Sequence, residues 1–202
     1  MLLKYLLLFL LIIPVSAHTN VSIFPSNQTI FINHNFSFQI LVIPDQNTSG
    51  MQTNVNYNDS IINIHNVSDG GLFQNNVYFY PGLQNKSRIQ NIFSVILGRN
   101  SITEPGILAN VTGKSSNEST SYINLTNTII STPKGIAIQN IVSNGSISVI
   151  YHYEDVTKDD KINIFDIMTV SRKMGICMCI EDVNRDGVVN IFDLMMVSRA
   201  MT

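Results

Sequence analysis

Residues 155–166 read DVTKDDKINIFD and residues 182–193 read DVNRDGVVNIFD, so the chain carries one acidic loop twice. A hard cation such as calcium is held in a loop of this length by side-chain oxygens at positions 1, 3, 5 and 12. Position 7 adds a backbone carbonyl, and position 9 often acts through a water. In the second copy the set is Asp182, Asn184, Asp186, Val188 (carbonyl), Asn190 and Asp193; in the first it is Asp155, Thr157, Asp159, Lys161 (carbonyl), Asn163 and Asp166. Position 6, where a sharp turn calls for positive φ, is Gly187 in one copy and Asp160 in the other. Asp tolerates that conformation better than most residues, so the first loop is expected to bind, but more weakly. Position 12 is Asp in both copies, where the common EF-hand has a bidentate Glu, so an F-hand variant describes them better. Asp, Asn and Gly also favour plain surface turns. Two copies in register that share NIFD argue instead for metal loops, with two calcium ions.

Each loop runs on into a similar segment, DIMTVSRKM from Asp166 and DLMMVSRAM from Asp193. Ile167, Met168, Val170 and Met174, and likewise Leu194, Met195, Val197 and Met201, have helical spacing. The repeats, 155–174 and 182–201, are therefore loop plus helix, without the entering helix of a full EF-hand. This pattern resembles a dockerin of type I-like form, a calcium-dependent module that plugs proteins into cohesins. The resemblance places partner contacts at positions 10 and 11 of each loop: Ile164 and Phe165, then Ile191 and Phe192. Arg172, Lys173 and Arg199, later on the same helices, join them. Dockerins often carry hydroxyl or small residues at those two positions, so the apolar pair implies a greasier cohesin pocket. The alternative is that both Ile-Phe pairs are core residues.

The start, MLLKYLLLFLLIIPVSA, has one lysine, an apolar run from Tyr5 to Val15 and small residues before His18. It is too short to span a bilayer comfortably and ends at a plausible cleavage site, so residues 1–17 are expected to be a signal peptide. The mature chain then begins near His18, has no membrane span and is secreted, extracellular or attached to a cell surface. Eleven N-x-[ST] sequons, at Asn20, Asn27, Asn35, Asn47, Asn58, Asn66, Asn85, Asn110, Asn117, Asn124 and Asn144, precede the repeats and fit an exported glycoprotein. Cys177 and Cys179 stand as CMC between the repeats. One intervening residue would strain a mutual disulfide; zinc would need further Cys or His ligands, of which His152 is the nearest histidine, and is not expected; pairing between chains stays open.

Residues 19–150 hold five acidic and five basic residues, no cysteine and no tryptophan. Strand follows strand: VSIF from Val21, FSFQILVI from Phe36, GMQTNVNY from Gly50, IINIHNV from Ile61, RIQNIFSVILG from Arg88, ILANVTGK from Ile107, TSYINLTNTII from Thr120, GIAIQNIV from Gly135 and GSISVIY from Gly145. β-Branched and aromatic residues alternate with Asn, Ser and Thr, the pattern of an antiparallel sandwich. The segments VSIFPSNQTIFINHNFSFQILV, GMQTNVNYNDSIINI, EPGILANVTGK and INLTNTIISTPKGIAIQNIVSNGSISV resemble the strands of a cohesin, the jelly-roll β-sandwich that receives dockerins. The expected fold is mainly β: a cohesin-like domain over 19–150, then a small α dockerin with two calcium repeats over 151–202.

An enzyme is disfavoured. Glycoside hydrolysis needs two closely placed carboxylates, and the first domain offers only Asp45, Asp59, Asp69, Glu104 and Glu118, most in turn-like stretches. No phosphate loop, nucleophile elbow or zinc motif occurs. A neutral first domain and a second of net charge about minus three exclude nucleic acid as a natural partner. What remains is an adaptor: the dockerin enters the cohesin of another protein, and the sandwich receives the dockerin of another. The resemblance makes polysaccharide degradation the usual setting. The alternative is a carbohydrate-binding sandwich delivered by its dockerin, against which stand the missing Trp and a Tyr78-Phe79-Tyr80 run that cannot form one alternating face alone. The connector VIYHYE, from Val149 to Glu154, has no Pro, Gly or Ser and should fix the two modules relative to each other.

Overall fold

The computed structural model describes residues 18–74, 77–159 and 161–201. The expected signal peptide and Asp160 lie outside the described residues. Among the described residues, thirteen strands precede the repeats: β1 (Thr19–Phe24), β2 (Asn27–Phe31), β3 (Asn35–Ile43), β4 (Gly50–Asn56), β5 (Ile62–Asp69), β6 (Val77–Tyr80), β7 (Leu83–Asn85), β8 (Arg88–Ile96), β9 (Gly106–Ser115), β10 (Ser119–Ser131), β11 (Ala137–Ile138), β12 (Asn140–Ser143) and β13 (Gly145–Ile150). One sheet has the order β12-β1-β3-β9-β5. The other has β2-β13-β10-β4-β8-β6, with β11 added to β10 and β7 to β8.

Because strand side chains alternate between faces, the apolar half of each strand meets the other sheet. Phe38, Ile40, Ile62, Ile64 and Leu108 come from one side, and Ile89, Ile92, Ile123, Ile130 and Ile147 from the other, all fully buried. Each contributes roughly 1.5 to 3 kcal/mol of burial.

The sandwich is not wholly antiparallel. β1 pairs parallel with β12 in one sheet, and β2 pairs parallel with β13 in the other. The first and last strands therefore cross between sheets side by side, at Pro25–Ser26 and at Asn144. Close packing at this crossing explains Gly145, where a Cβ would lie 2.7 Å from Ile23 Cγ2 and 2.8 Å from the Ser26 carbonyl oxygen. Strands β2, β6 and β7 also go beyond the segments picked from sequence, because they are short and border Pro or Gly.

Two bulges flank β4. Asn91 on β8 and Asn127 on β10 adopt positive φ, which Asn tolerates, at or beside register shifts against β4. The buried Asn54 side chain accepts the Asn91 N–H at 2.7 Å, and Thr53 Oγ1 lies 2.8 Å from Thr128 Oγ1. Buried Asn54 and Thr53 are thus hydrogen-bonded, whereas Ser94 Oγ, buried on β8, has no partner among the described residues.

The C-terminal repeat has two helices, α1 (Ile164–Ser171) and α2 (Ile191–Ala200), and a two-stranded ladder of β14 (Gly175–Ile176) with β15 (Val188–Val189). Its core is small and built twice from matching positions. Val156, Ile162, Ile167 and Val170 of the first unit meet Val183, Val189, Leu194 and Val197 of the second. No described helix is long and apolar enough to cross a membrane.

Candidate functional site

The loops close through their own aspartates. Thr157 N–H and Oγ1 both donate to Asp166 Oδ1 at 2.9 Å, and Asn184 N–H donates to Asp193 Oδ1 at 3.0 Å. Position 5 turns back on position 1: Asp159 N–H reaches Asp155 Oδ1 at 3.2 Å, and Asp186 N–H reaches Asp182 Oδ1 at 3.1 Å. The other oxygen of position 12 caps the helix. Asn163 N–H donates to Asp166 Oδ2 and Asn190 N–H to Asp193 Oδ2, both at 2.8 Å, while each Asn side chain accepts the N–H of Phe165 or Phe192. Position 9 therefore serves as N-cap and position 12 as its partner in a capping box. The N-x-x-D spacing carries that signal in the sequence.

Backbone geometry agrees between copies. Gly187 has φ 88°, and at position 4 Lys158 and Arg185 have φ 60° and 62°. Asp166, Asp182 and Asp193 are buried, yet among the described residues no lysine, arginine or histidine pairs with them. Burying ionised carboxylates without an opposing charge is costly. Among the described residues, the three aspartates of neither loop bring their carboxylates within 4.8 Å of one another, and Val188 O, the expected carbonyl ligand, accepts from Asn190 Nδ2 at 2.9 Å.

The residues expected to meet a partner lie outside the core. Ile164 and Phe165 are 53% and 62% exposed, and Ile191 and Phe192 are 57% and 62% exposed. The alternative that placed them in the core does not hold, because Ile167, Val170, Leu194 and Val197 already fill the inward face. Met168, Met174, Met195 and Met201, read from sequence as part of the inward stripe, are exposed and widen the apolar outer face. Arg172 caps α1 and Lys173 lies beyond it, so neither sits within the helix as expected, whereas Arg199 is in the last turn of α2. All three are exposed.

On the sandwich, pairing of Tyr80 with Phe93 and of Tyr78 with Val95 puts Tyr78, Tyr80 and Phe93 on the outer face of the second sheet. Ring centroids lie 5.8 Å apart for Tyr78–Phe93 and 5.4 Å for Tyr80–Phe93. Phe79 packs inward. The sequence argument against an aromatic face is thereby corrected: β8 supplies the third ring, which the Tyr-x-Tyr alternation alone does not show. Four of the five acidic side chains of the sandwich accept hydrogen bonds. Asp45 accepts from Thr19, Asp59 from Ser87, Asp69 from Gly71 N–H and Glu118 from Tyr153.

In fold the chain is similar to a non-cellulosomal cohesin from the hyperthermophilic archaeon Archaeoglobus fulgidus, over 71% of this chain and 99% of that one, with TM-score 0.56 and 15% identity. The sandwich is cohesin-like. The sixth cohesin of scaffoldin B from Acetivibrio cellulolyticus, solved with a dockerin, matches over 66% of this chain and all of that one, with TM-score 0.55 and 12% identity. A cohesin from a type I cohesin–dockerin complex of Clostridium thermocellum gives TM-score 0.54 at 12% identity, covering 66% and 95% of the two chains. No protein-family profile matches the chain, and no curated protein does. At such identities the likeness is one of fold.

Cys177 and Cys179 form a disulfide with each other, their Cα atoms 5.3 Å apart. That separation is within the range that disulfides span, so the two thiols that the sequence left unassigned are paired with each other.

Proposed function

We propose that the chain is an exported, non-catalytic adaptor that builds an extracellular assembly. Two calcium ions fold residues 151–202 into a dockerin that enters the cohesin of another protein, and the cohesin-like sandwich receives a dockerin in turn. The observation that carries this reading is the twice-built outer face. Ile164 with Phe165 and Ile191 with Phe192 are exposed to matching extents above two matching acidic loops. Large apolar side chains held out by a rigid capped helix favour a partner surface. The solved relatives support the other half, since several are cohesins in complex with dockerins. Ten of the eleven sequon asparagines are exposed, Asn110 being half-buried, which fits an exported glycoprotein. The test is a binding panel of cohesins and dockerins against the immobilised full chain, in calcium and in chelator. Calcium-dependent capture of a cohesin is expected; capture unaffected by chelator, or of no cohesin at all, would overturn it.

A second reading rests on the Tyr78, Tyr80 and Phe93 cluster, which offers sugar rings a stacking surface. Here the sandwich is a carbohydrate-binding module and its dockerin delivers it. A glycan array with wild type and with Tyr78→Ala and Tyr80→Ala separates the two: loss of a glycan signal supports sugar, and loss of dockerin binding supports the adaptor.

A further inference from the structure

The CMC connector is stitched to the second acidic loop on both sides. Cys177 N–H donates to the Gly187 carbonyl at 3.2 Å, and Asp182 N–H donates to the Cys179 carbonyl at 3.2 Å. Met178 between them is fully exposed and turned away. Glu181 follows, only 8% exposed, with no hydrogen bond or ion pair among the described residues. One carboxylate oxygen of Glu181 and the two sulfurs all lie within 4.8 Å of one another. The counterpart of Glu181 in the first unit is Glu154, which has His152 Nδ1 at 3.7 Å. The counterpart of His152, 27 residues on, is Cys179. A partner is present in one unit, and in the other a metal-ligating side chain stands in its place.

We propose that reduction of the Cys177–Cys179 bond opens a site for one thiophilic cation such as Zn2+, held by both sulfurs and the Glu181 carboxylate. Zinc takes sulfur at about 2.3 Å and carboxylate oxygen at about 2.1 Å, which sets ligand atoms roughly 3.6 to 3.8 Å apart in a tetrahedron. The sulfurs, about 2.05 Å apart while bonded, swing apart by χ1 rotation once reduced, and rotation of the Glu181 side chain brings the carboxylate to the same centre. The backbone bonds to Gly187 and Asp182 hold both cysteines in place, so little ordering is left to the metal. Three protein ligands leave the fourth position to water. Calcium does not compete, since it selects oxygen donors. The disulfide takes two electrons and two protons from a dithiol reductant, which becomes a disulfide itself; the metal then displaces the two thiol protons to solvent.

The test uses the full chain in excess calcium, reduced with a phosphine that ends as its oxide, the oxygen coming from water. Cd2+ entering the acidic loops meets only oxygen, so the ultraviolet sulfur-to-cadmium band reports this site alone. One equivalent of Cd2+ should raise the band in reduced protein and none should appear in oxidised protein. Glu181→Gln should weaken binding roughly tenfold or more. Zinc-edge absorption of the reduced wild type should show two sulfur neighbours and otherwise oxygen, a readout that stands even if the variant fails to fold. No band after complete reduction, a four-sulfur shell, or a folded Glu181→Gln that binds as wild type does would overturn the proposal.

Discussion

The guanidinium of Arg185 lies 3.8 Å over the ring of Tyr153, and Lys158, at the same position of the other loop, places Nζ 5.6 Å from the ring of Tyr151. Positive φ at these fourth loop positions carries both cations to the connector, so each loop grips one of its tyrosines. Between them His152 stacks on Phe31 of the sandwich, and Tyr153 Oη donates to Glu118 at 3.2 Å. The connector is a clamp, and a repeat module held this way would be presented in one orientation. Tyr153→Ala removes the cation–π contact, about 0.5 to 1 kcal/mol, and part of an aromatic burial. A loss of roughly 1 to 3 kcal/mol from the melt of the repeat is expected, with a wider distribution of distances between spin labels on the two modules. Unchanged distances would refute the clamp.

Calcium removal should unfold the repeat and spare the sandwich. The C-terminal core rests on five buried valines, too few for about fifty residues to fold alone. In chelator, buried carboxylates repel one another without a counter-charge. Circular dichroism should then lose its helical signal while the β signal and its melt persist. Asp193→Ala should do the same to α2 alone even in calcium, because it removes both an expected calcium ligand and the capping box. A helical signal indifferent to chelator would refute this.

The two loop-and-helix units were legible because a repeated motif with fixed spacing is a local signal. So was the sandwich class, which follows from alternation. The parallel pairs β1–β12 and β2–β13 were not, since they join residues about 120 apart and nothing local in either segment records the other. The same holds for Tyr78, Tyr80 and Phe93, brought together only by the pairing of β6 with β8. The methionines of the helices misled for another reason. Apolar spacing marks a helix, but Met168 and Met195 sit at the edge of a stripe whose centre is held by Val170 and Val197. In so small a module the edge is left in water.

Tyr57 gives the sandwich a pH limit at the alkaline end. Burial pushes its hydroxyl above the ordinary tyrosine value of 10.0; the Gln84 side chain lowers it and nearby Asp59 raises it. Its Oη donates to the Lys86 carbonyl at 2.6 Å, a bond that needs the proton. Because the folded state holds the proton more tightly than the unfolded one, stability is full below about pH 10 and falls as pH rises above it. Tyr57→Phe should lower stability at neutral pH by about 1 kcal/mol through the lost hydrogen bond and flatten the decline above pH 10. Denaturant melts across that range measure it; an equally steep decline in the variant would point to another group.

The two-fold repetition of the outer face makes the sharpest claim about recognition. Phe165 and Phe192 have equal exposure, and the capping that orients them is the same in both units. If the units pack about an approximate two-fold axis, either Ile-Phe pair can enter the same receptor groove, and the partner is bound in two orientations. Burying an Ile and a Phe contributes about 1.5 to 3 kcal/mol each, so a pair matters, but losing one leaves the other to substitute. Ile164→Asp with Phe165→Asp should keep binding to a cognate cohesin within a few-fold, and so should the same change at Ile191 and Phe192. The quadruple variant should lose binding while still taking up calcium. Loss of binding in one folded double variant would show that one helix dominates. Unfolding of the quadruple variant would show that these exposed residues hold the module together after all.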